Sequence, residues 1–379
     1  MHSYIHIPFC NSKCKYCRFA SLWKTQNFLI QKYLNFLLNE IKNLKENSKK
    51  LKTIYFGWWT PSVLNYKDLE KIIKELEKKF SLEKNIEITL ETTPLNVNLK
   101  NLFFWEKIWI NRISIGIQTL NDKTLKEINR WNSKEIFDAL NSVKKYLENK
   151  WKIKNFSLDF IIWLPFVKIW ETKKDIEKIL KKYDFIKHIS VYLLEDYYEV
   201  NEEIEEKNNF EKIIYPNSWE KNSIKQEDFL KEYLEVKNFL ENSWFFRYEI
   251  SNFAKQGFES KHNTWYWNHT ETIWFWLSAS SLIKNSKWDF IRYSNSANFL
   301  EYYSWILEEK IFLKDEDIFL EKLMFQLRTS WIEKNFYKKL NTKKIDYFIK
   351  NNLLEIKNEK LILKDSWVLV LDYILREII

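Results

Sequence analysis

Six short β-rich runs alternate with amphipathic helical stretches over the first half of the chain, and this alternation constrains the fold more than any other feature. Such repeats form parallel sheets joined by right-handed crossovers. The chain is therefore predicted to be an α/β protein, with either a barrel or an open doubly wound sheet. The predicted strands are Ser3–Ile7, Thr53–Phe56, Ile86–Glu91, Arg112–Ile117, Phe156–Ile162 and His188–Leu194, and the predicted helices are Gln26–Glu46, Tyr66–Phe80, Leu99–Ile108, Lys134–Leu147 and Thr172–Tyr183.

The second half of the chain departs from this pattern. Residues 200–243 are rich in Glu and Lys and predict a helical excursion. The final segment, LEIKNEKLILKDSWVLVLDYILREII, predicts a β-hairpin followed by a helix, as in a small winged-helix-like α+β domain. We therefore expect a larger domain over residues 1–284, which includes the excursion, and a smaller one over residues 285–379.

Three cysteines, all close to the N-terminus, indicate a metal site in a reducing compartment rather than a disulfide framework. The N-terminal segment lacks a basic region and a long apolar stretch, and no apolar window is long enough to span a membrane. We expect a cytoplasmic protein without an integral membrane segment. The net charge of +9 is spread along the chain in a mixed-sign pattern that is typical of solvated helix faces, and we expect no nucleic-acid partner. Attraction of an anionic partner such as a carboxylate-rich porphyrin is the alternative.

Cys10, Cys14 and Cys17 have the spacing C-x3-C-x2-C in the segment HIPFCNSKCKYCRF. Three thiolates on a tight loop can hold three irons of a [4Fe-4S] cluster and leave the fourth iron without a protein ligand. S-adenosylmethionine can bind that iron through its amino and carboxylate groups. Zinc is the alternative, but it requires a fourth ligand, for which only His2 or His6 is nearby.

The chain has only 3 glycines but 19 tryptophans, whereas glycine makes up about 7% of a typical domain. An α/β protein needs glycine for left-handed turns, helix ends and close backbone approach to ligands. The combined glycine and tryptophan content is close to that expected for glycine alone. We hypothesise that UGA codons were translated as Trp where the organism inserts Gly. A protein that is truly rich in tryptophan and a decayed gene are the alternatives.

The cysteine motif, preceded by YIHIPF and followed by Arg18-Phe19, resembles that of radical SAM proteins of the oxygen-independent coproporphyrinogen III oxidase group. The segments IYFGWWTPS, IEITLETTP, NRISIGIQTL, LDFIIWLP, YEISNFA and KHNTWYW extend the resemblance over nearly the whole chain. It implies a partial (β/α)6 radical-SAM barrel with a smaller C-terminal domain. Tryptophan stands where this family usually has glycine at Trp58, Trp59, Trp109, Trp163, Trp244, Trp274, Trp276, Trp331 and Trp367. Trp267, by contrast, matches a tryptophan of the family.

The same resemblance implies roles for individual residues at the carboxyl ends of the strands, where α/β barrels carry their sites. Tyr4 and Tyr16 would line the cluster and S-adenosylmethionine, and Glu91 would contact polar groups of that cofactor. Gln118, Arg130 and Asp159 match positions that contact a second S-adenosylmethionine in the oxidases. Asp159 lies in an apolar strand, so its side chain needs a polar partner.

Residues 57–61 should bring the backbone close to the methionyl part of S-adenosylmethionine, with Trp59 and Thr60 in contact with that cofactor. Two indoles at positions 58 and 59 would fill this space, so we expect S-adenosylmethionine to bind only if both residues are glycine in the organism. His262, in the segment KHNTWYW, is implied as a heme ligand, with a purely structural role as the alternative.

Two functions from different classes remain open. In the first, the protein is a heme chaperone that uses the cluster and S-adenosylmethionine while passing heme to hemoproteins. In the second, it is an oxidase that decarboxylates propionates of coproporphyrinogen III. The oxidases have a further cysteine where this chain has Phe19, and a longer segment before the motif, which favours the chaperone. A radical SAM enzyme acting on another tetrapyrrole-like substrate is a third, weaker possibility.

Overall fold

The structure is a computed structural model of the chain. It describes residues 1–17, 22–23, 27–44, 49–58, 60–149, 152–194, 225–277, 279–285, 289–296, 298–304, 307–329, 331–365 and 371–379. Trp59, Trp367 and most of the predicted helical excursion lie outside these residues.

Six parallel strands form the centre of a large sheet and lie side by side in chain order. A doubly wound sheet would reverse its strand order, whereas this sheet continues in one direction, as a barrel does. The sheet stays open, because both outer strands pair with later strands instead of with each other. The predicted partial (β/α)6 barrel is therefore confirmed. The strands are β1 (His2–Ile7), β2 (Lys50–Trp58), β3 (Ser81–Thr92), β4 (Arg112–Gln118), β5 (Asn155–Ile162) and β6 (His188–Leu193).

Helices connect these strands, and their apolar faces pack on the sheet. In the second helix, Asn65 caps the N-terminus by accepting a hydrogen bond from the backbone N–H of Asp68, and the helix buries Leu69, Ile72 and Leu76 at helical spacing. Five of these helices agree with the predicted ones to within a few residues, and the fourth was not predicted. They are α1 (Asn27–Asn43), α2 (Tyr66–Lys79), α3 (Leu99–Lys107), α4 (Asp122–Glu127), α5 (Ser133–Glu148) and α6 (Glu171–Lys182).

Six further strands extend the large sheet on both sides of the parallel core. After α7 (Gln226–Asn242), two of them pair beyond β6; the other four follow α8 (Lys261–Trp267), and the first of these pairs parallel to β1. The predicted domain boundary at 284/285 falls between two hydrogen-bonded strands of this sheet, so strand pairing continues across it. The strands are β7 (Phe246–Arg247), β8 (Asn252–Ala254), β9 (Thr272–Phe275), β10 (Ser280–Lys284), β11 (Phe290–Asn295) and β12 (Leu307–Phe312).

A separate three-stranded antiparallel sheet lies near the C-terminus and includes the predicted β-hairpin. It consists of β13 (Trp331–Glu333), β14 (Leu354–Lys357) and β15 (Lys360–Leu363), the last two forming a hairpin. The remaining helices of the described residues are α9 (Phe299–Tyr303), α10 (Asp315–Thr329), α11 (Lys334–Tyr337), α12 (Thr342–Lys350) and α13 (Leu371–Ile378). In the part of the chain that the structure describes, no helix is long and apolar enough to cross a membrane.

The side chain of Glu40 ties α1 to residues beyond the predicted boundary. Its carboxylate accepts hydrogen bonds from Asn295 Nδ2, at 2.9 Å, and from the Tyr302 hydroxyl, at 2.5 Å. Burial raises the pKa of Glu40 to about 7, although the hydrogen bonds from Tyr302 and Asn295 oppose this shift.

Glu40 should therefore make folding stability depend on pH. Because the pKa of Glu40 in the folded protein lies above its unfolded value of 4.5, the contribution of Glu40 to folding stability is fully present below pH 4.5. This contribution is lost as the pH rises through about 7. The loss attributable to Glu40 is on the order of 3 kcal/mol. The free energy of unfolding, measured with urea at pH 5 and at pH 8, should differ less between the two pH values for Glu40→Gln than for the unmodified chain. Glu148→Gln, on an exposed part of α5, is the control, and an equal change in both variants would contradict the assignment.

Among the residues that the structure describes, five tryptophans have a left-handed backbone conformation. Bulky residues rarely adopt positive φ, whereas glycine does so without steric cost. Four of the five are among the nine positions where the resemblance indicates glycine, and Trp170 is an additional case. They are Trp109 (φ 74°), Trp163 (78°), Trp170 (69°), Trp244 (66°) and Trp276 (103°).

Trp109 and Trp244 follow the ends of α3 and α7 in the same backbone motif. The N–H of Trp109 donates to Glu106 O and that of Ile110 to Trp105 O, at 2.9 and 3.1 Å. After α7, the N–H of Trp244 donates to Glu241 O at 3.0 Å and the N–H of Phe245 donates to Leu240 O at 2.9 Å. This is the Schellman motif, whose left-handed residue is usually glycine. Both indoles are 72% exposed, so packing does not explain why tryptophan stands there.

The glycine interpretation of these positions makes a direct prediction about the native protein. Peptides from the source organism should show the residue mass of glycine at positions 58, 59, 109, 163, 244 and 276, and tryptophan at position 267. Tandem mass spectrometry of the digested native protein makes this measurement. Tryptophan masses at 58 and 59 would refute the interpretation, and Trp267 serves as the internal control.

Candidate cofactor site

Nine side chains predicted from the sequence line one cavity of about 400 Å³ at the carboxyl ends of the parallel strands. Parallel strands end at the same edge of a sheet, so residues far apart in the chain meet there. The nine are Tyr4, Cys10, Cys14, Tyr16, Cys17, Glu91, Gln118, Arg130 and Asp159.

The loop that carries the cysteines follows β1 and is held by the end of α4. The backbone N–H of Lys15 donates to Ile128 O at 3.2 Å, and Asn129 Nδ2 donates to Lys13 O at 2.8 Å. Within the loop, the N–H of Cys17 donates to Cys14 O at 3.0 Å. The short helix that was not predicted therefore positions the cysteines.

Arg130 places a positive charge beside the cysteines. Its Nη2 donates to the Tyr16 hydroxyl at 2.8 Å, and its guanidinium lies 4.3 Å from the ring centre of Trp131. Burial raises the pKa of the Cys14 thiol, while the charge of Arg130 lowers it. Arg130 Nε is buried without a hydrogen-bond partner in the described part of the chain. A cation in this position stabilises thiolates, which are the form that binds iron.

The donor set fits a [4Fe-4S] cluster. Cys10 and Cys14 are buried, Cys17 is partly buried, and the Cys10 Sγ lies 3.3 Å from Thr60 Oγ1. Among the described residues, no three Cys, His, Asp or Glu side chains converge tightly enough to hold one metal ion. A cubane needs no such convergence, because each thiolate binds a different iron. When bound, such a cluster supplies an electron for reductive cleavage of S-adenosylmethionine.

Glu91 lines the cavity at the end of β3, and Gly57 lies near the end of the neighbouring strand β2. The Tyr55 hydroxyl donates to Glu91 Oε1 at 2.7 Å, which fixes the carboxylate at the end of β3. A Cβ at Gly57 would come within 2.7 Å of the Tyr55 ring and 2.9 Å of the Tyr4 ring, so only glycine fits there. Thr60 does not line the cavity, but it contacts Cys10.

Asp159 finds the polar partners that its apolar strand led us to expect. Its carboxylate accepts hydrogen bonds from Ser114 Oγ, at 2.8 and 3.1 Å, and from Ser157 Oγ, at 3.1 Å. Burial raises its pKa, and the hydrogen bonds and the charge of Arg112 oppose that shift. Ser157 also contacts His188 Nδ1 at 2.7 Å, and His188 Nε2 contacts the Tyr248 hydroxyl at 2.8 Å.

The sequence reasoning missed several residues that line the cavity, including Ser114, Gly116, Ile161 and Tyr192. Ser114 and Gly116 occupy alternate positions of β4, and Ile161 does so with Asp159 on β5. Side chains at alternate positions of a strand share one face, so this alternation was the signal that could have found them.

His262 is not part of this cavity. It is buried in α8, where its Nδ1 lies 2.7 Å from Thr53 Oγ1 and its ring centre lies 4.9 Å from that of Tyr55. Burial lowers its pKa to about 3, which keeps the imidazole neutral. Neutral imidazole is the form that ligates metals.

The fold and the three clustered cysteines define a radical SAM protein, and residues 4–179 match the Radical SAM superfamily. More specifically, the chain belongs to the HemW family. It is 31% identical over 349 residues to the heme chaperone HemW of Buchnera aphidicola subsp. Schizaphis graminum, and the match covers 89% of this chain and 86% of that protein. The heme chaperone HemW of Bacillus subtilis is 30% identical over 292 residues, with 75% and 72% covered.

Among solved structures, coproporphyrinogen III oxidase (HemN) from Escherichia coli, described as a radical SAM enzyme, superimposes with a TM-score of 0.79. The match covers 99% of this chain and 88% of that one, at 17% identity, and therefore shows a shared fold. The comparisons confirm the family that the sequence motifs predicted. Radical SAM proteins use a [4Fe-4S] cluster and S-adenosylmethionine.

The charge of Arg130 should raise the reduction potential of a cluster held by the three cysteines. Reduction adds negative charge, which a nearby cation stabilises, so Arg130→Gln should lower the reduction potential. A potentiometric titration of the reconstituted protein followed by electron paramagnetic resonance measures this value, with iron content confirming that the cluster has assembled. Lys123→Gln, which removes an exposed charge over Phe166, is the control. An unchanged or higher reduction potential in Arg130→Gln would contradict the expected effect of the Arg130 charge on the cluster.

Proposed function

We propose that this protein is a heme chaperone that binds heme and delivers it to hemoproteins, with a [4Fe-4S] cluster on Cys10, Cys14 and Cys17. The observation that carries the proposal is the single cavity that gathers these cysteines with Glu91 and Asp159, in a chain of the HemW family. S-adenosylmethionine would occupy the cavity between the cysteine loop and the ends of β3 to β5. Tyr4 and Tyr16 would form its walls.

Coproporphyrinogen III oxidation is the second candidate. Gln118, Arg130 and Asp159, which match a second cofactor site in the oxidases, line the same cavity as the cysteines. Phe19 replaces the further cysteine of the oxidases and favours the chaperone.

The heme ligand remains a prediction, and we retain His262 for that role. Its Nδ1 contacts Thr53, so the other ring nitrogen would have to bind the iron. Because the side chain is only 5% exposed, heme could reach it only if α8 moved away from the start of β2. Tyr266 and Trp267, on the same helix, would then be available to pack on the porphyrin face.

One experiment separates the two functions. Protein expressed from the gene with UGA decoded as glycine would be reconstituted anaerobically and assayed in parallel for heme binding and for coproporphyrinogen III conversion. We expect a Soret band that saturates with heme, and no conversion above the cluster-free control. Repeated turnover of coproporphyrinogen III would reject the chaperone.

The same assay tests His262. Replacement by alanine should weaken heme binding at least tenfold and shift the Soret band, because an iron ligand is lost. His269→Ala is the matched control, since His269 is another buried histidine close to the end of α8. Equal heme binding by both variants and the unmodified chain would remove His262 as a ligand while leaving the chaperone function open.

A further inference from the structure

A second cavity lies at the opposite end of the barrel from the cysteines. Its volume is about 380 Å³. It is lined by the first residues of β4 and β5, by Ile86 of β3, and by the segment 257–261 that leads into α8. The cofactor cavity lies at the carboxyl ends of the same strands, so the two cavities share no lining residue.

Arg112, the first residue of β4, lines this second cavity. It is only 2% exposed, and its Nε and Nη1 have no hydrogen-bond partner within the described residues. Glu87 is its strongest electrostatic neighbour, but the two Glu87 oxygens accept the backbone N–H groups of Lys261 and His262, each at 3.1 Å. Burying two guanidinium nitrogens without hydrogen-bond acceptors is costly, so the presence of Arg112 here requires an explanation.

The remaining lining residues make the cavity basic. Four lysines line it, together with Arg112, against the carboxylates of Glu87 and Glu259. A concave site with an excess of one charge concentrates the electric field and attracts ions of opposite charge. The lysines are Lys84, Lys152, Lys154 and Lys261.

We propose that this cavity binds a small anion that carries several phosphate or carboxylate groups. The Arg112 guanidinium would donate hydrogen bonds to the innermost anionic group, and the lysines would pair with the outer ones. Most of the wall consists of charged and amide side chains, which suits a polar anion better than the apolar ring of a porphyrin. This inference does not depend on the heme chaperone function.

Isothermal titration calorimetry on the reconstituted full-length chain at low salt tests the proposal. Tripolyphosphate and citrate serve as the probes, so the tighter of the two identifies the anionic group that the cavity prefers. We expect saturable binding with one site per chain. The double variant Lys84→Gln/Lys154→Gln should weaken binding about tenfold or more, since charge-assisted hydrogen bonds are lost. Arg112→Lys keeps the charge but not the fork of donors, and should also weaken it.

The matched control is Lys144→Gln/Lys145→Gln, which removes the same charge from the exposed face of α5. Binding that is unchanged in this control and weaker in the cavity variant supports the site. If neither probe binds saturably, or if both double variants weaken binding equally, the proposal is overturned. Because Lys84 and Lys154 are exposed, the double variant that replaces them should fold even if Arg112→Lys does not.

Discussion

The parallel alignment of the six central strands determines where the residues of the cofactor cavity lie. Because each strand runs in the same direction as its neighbours, the ends of β1, β2, β3 and β5 meet at one edge. Cys10, Gly57, Glu91 and Asp159 come from four separate parts of the chain and meet there only for this reason. The backbone of the cysteine loop is in turn held by hydrogen bonds to Ile128 and Asn129 at the end of α4.

The interior of the barrel is more polar than its strand sequences suggest. Ser157 links Asp159 to His188, and His188 links to Tyr248, whose hydroxyl accepts the N–H of Ser260 just before α8. This chain of buried hydrogen bonds runs from the cofactor cavity to the opposite end of the barrel. Each side chain in this series forms a hydrogen bond with the next, and these bonds offset the cost of burying polar groups.

Sequence periodicity predicted the central strands and most of the helices well, because buried parallel strands are continuous apolar runs and the helices are strongly amphipathic. It missed α4, which has only six residues and too few turns to show a period. The domain boundary predicted at 284/285 stays a prediction; it lies between β10 and β11, which are hydrogen-bonded to each other. These two strands are consecutive in the chain and pair antiparallel, so the large sheet continues past residue 284.

The roles of the motif residues stay predictions, but the structure brings nine of them together in one cavity. The nine residues that line the cavity come from segments that match the family, whereas the burial of His262 and the polar surroundings of Arg112 depend on packing. The glycine deficit was visible from composition alone, but the positive φ angles at Trp109 and Trp244 required the backbone. Together with the steric demand at Gly57, they indicate that the backbone is built for glycine at such positions.

The central claim is that three cysteines hold a cluster whose open iron binds S-adenosylmethionine, provided that residues 58 and 59 are glycine. Electron paramagnetic resonance of the reduced, reconstituted protein, with and without S-adenosylmethionine, tests this claim most directly. With glycine at both positions, addition of S-adenosylmethionine should change the cluster signal, and with tryptophan at both it should not. A signal that stays unchanged in the glycine form, or that changes equally in both forms, would contradict the account.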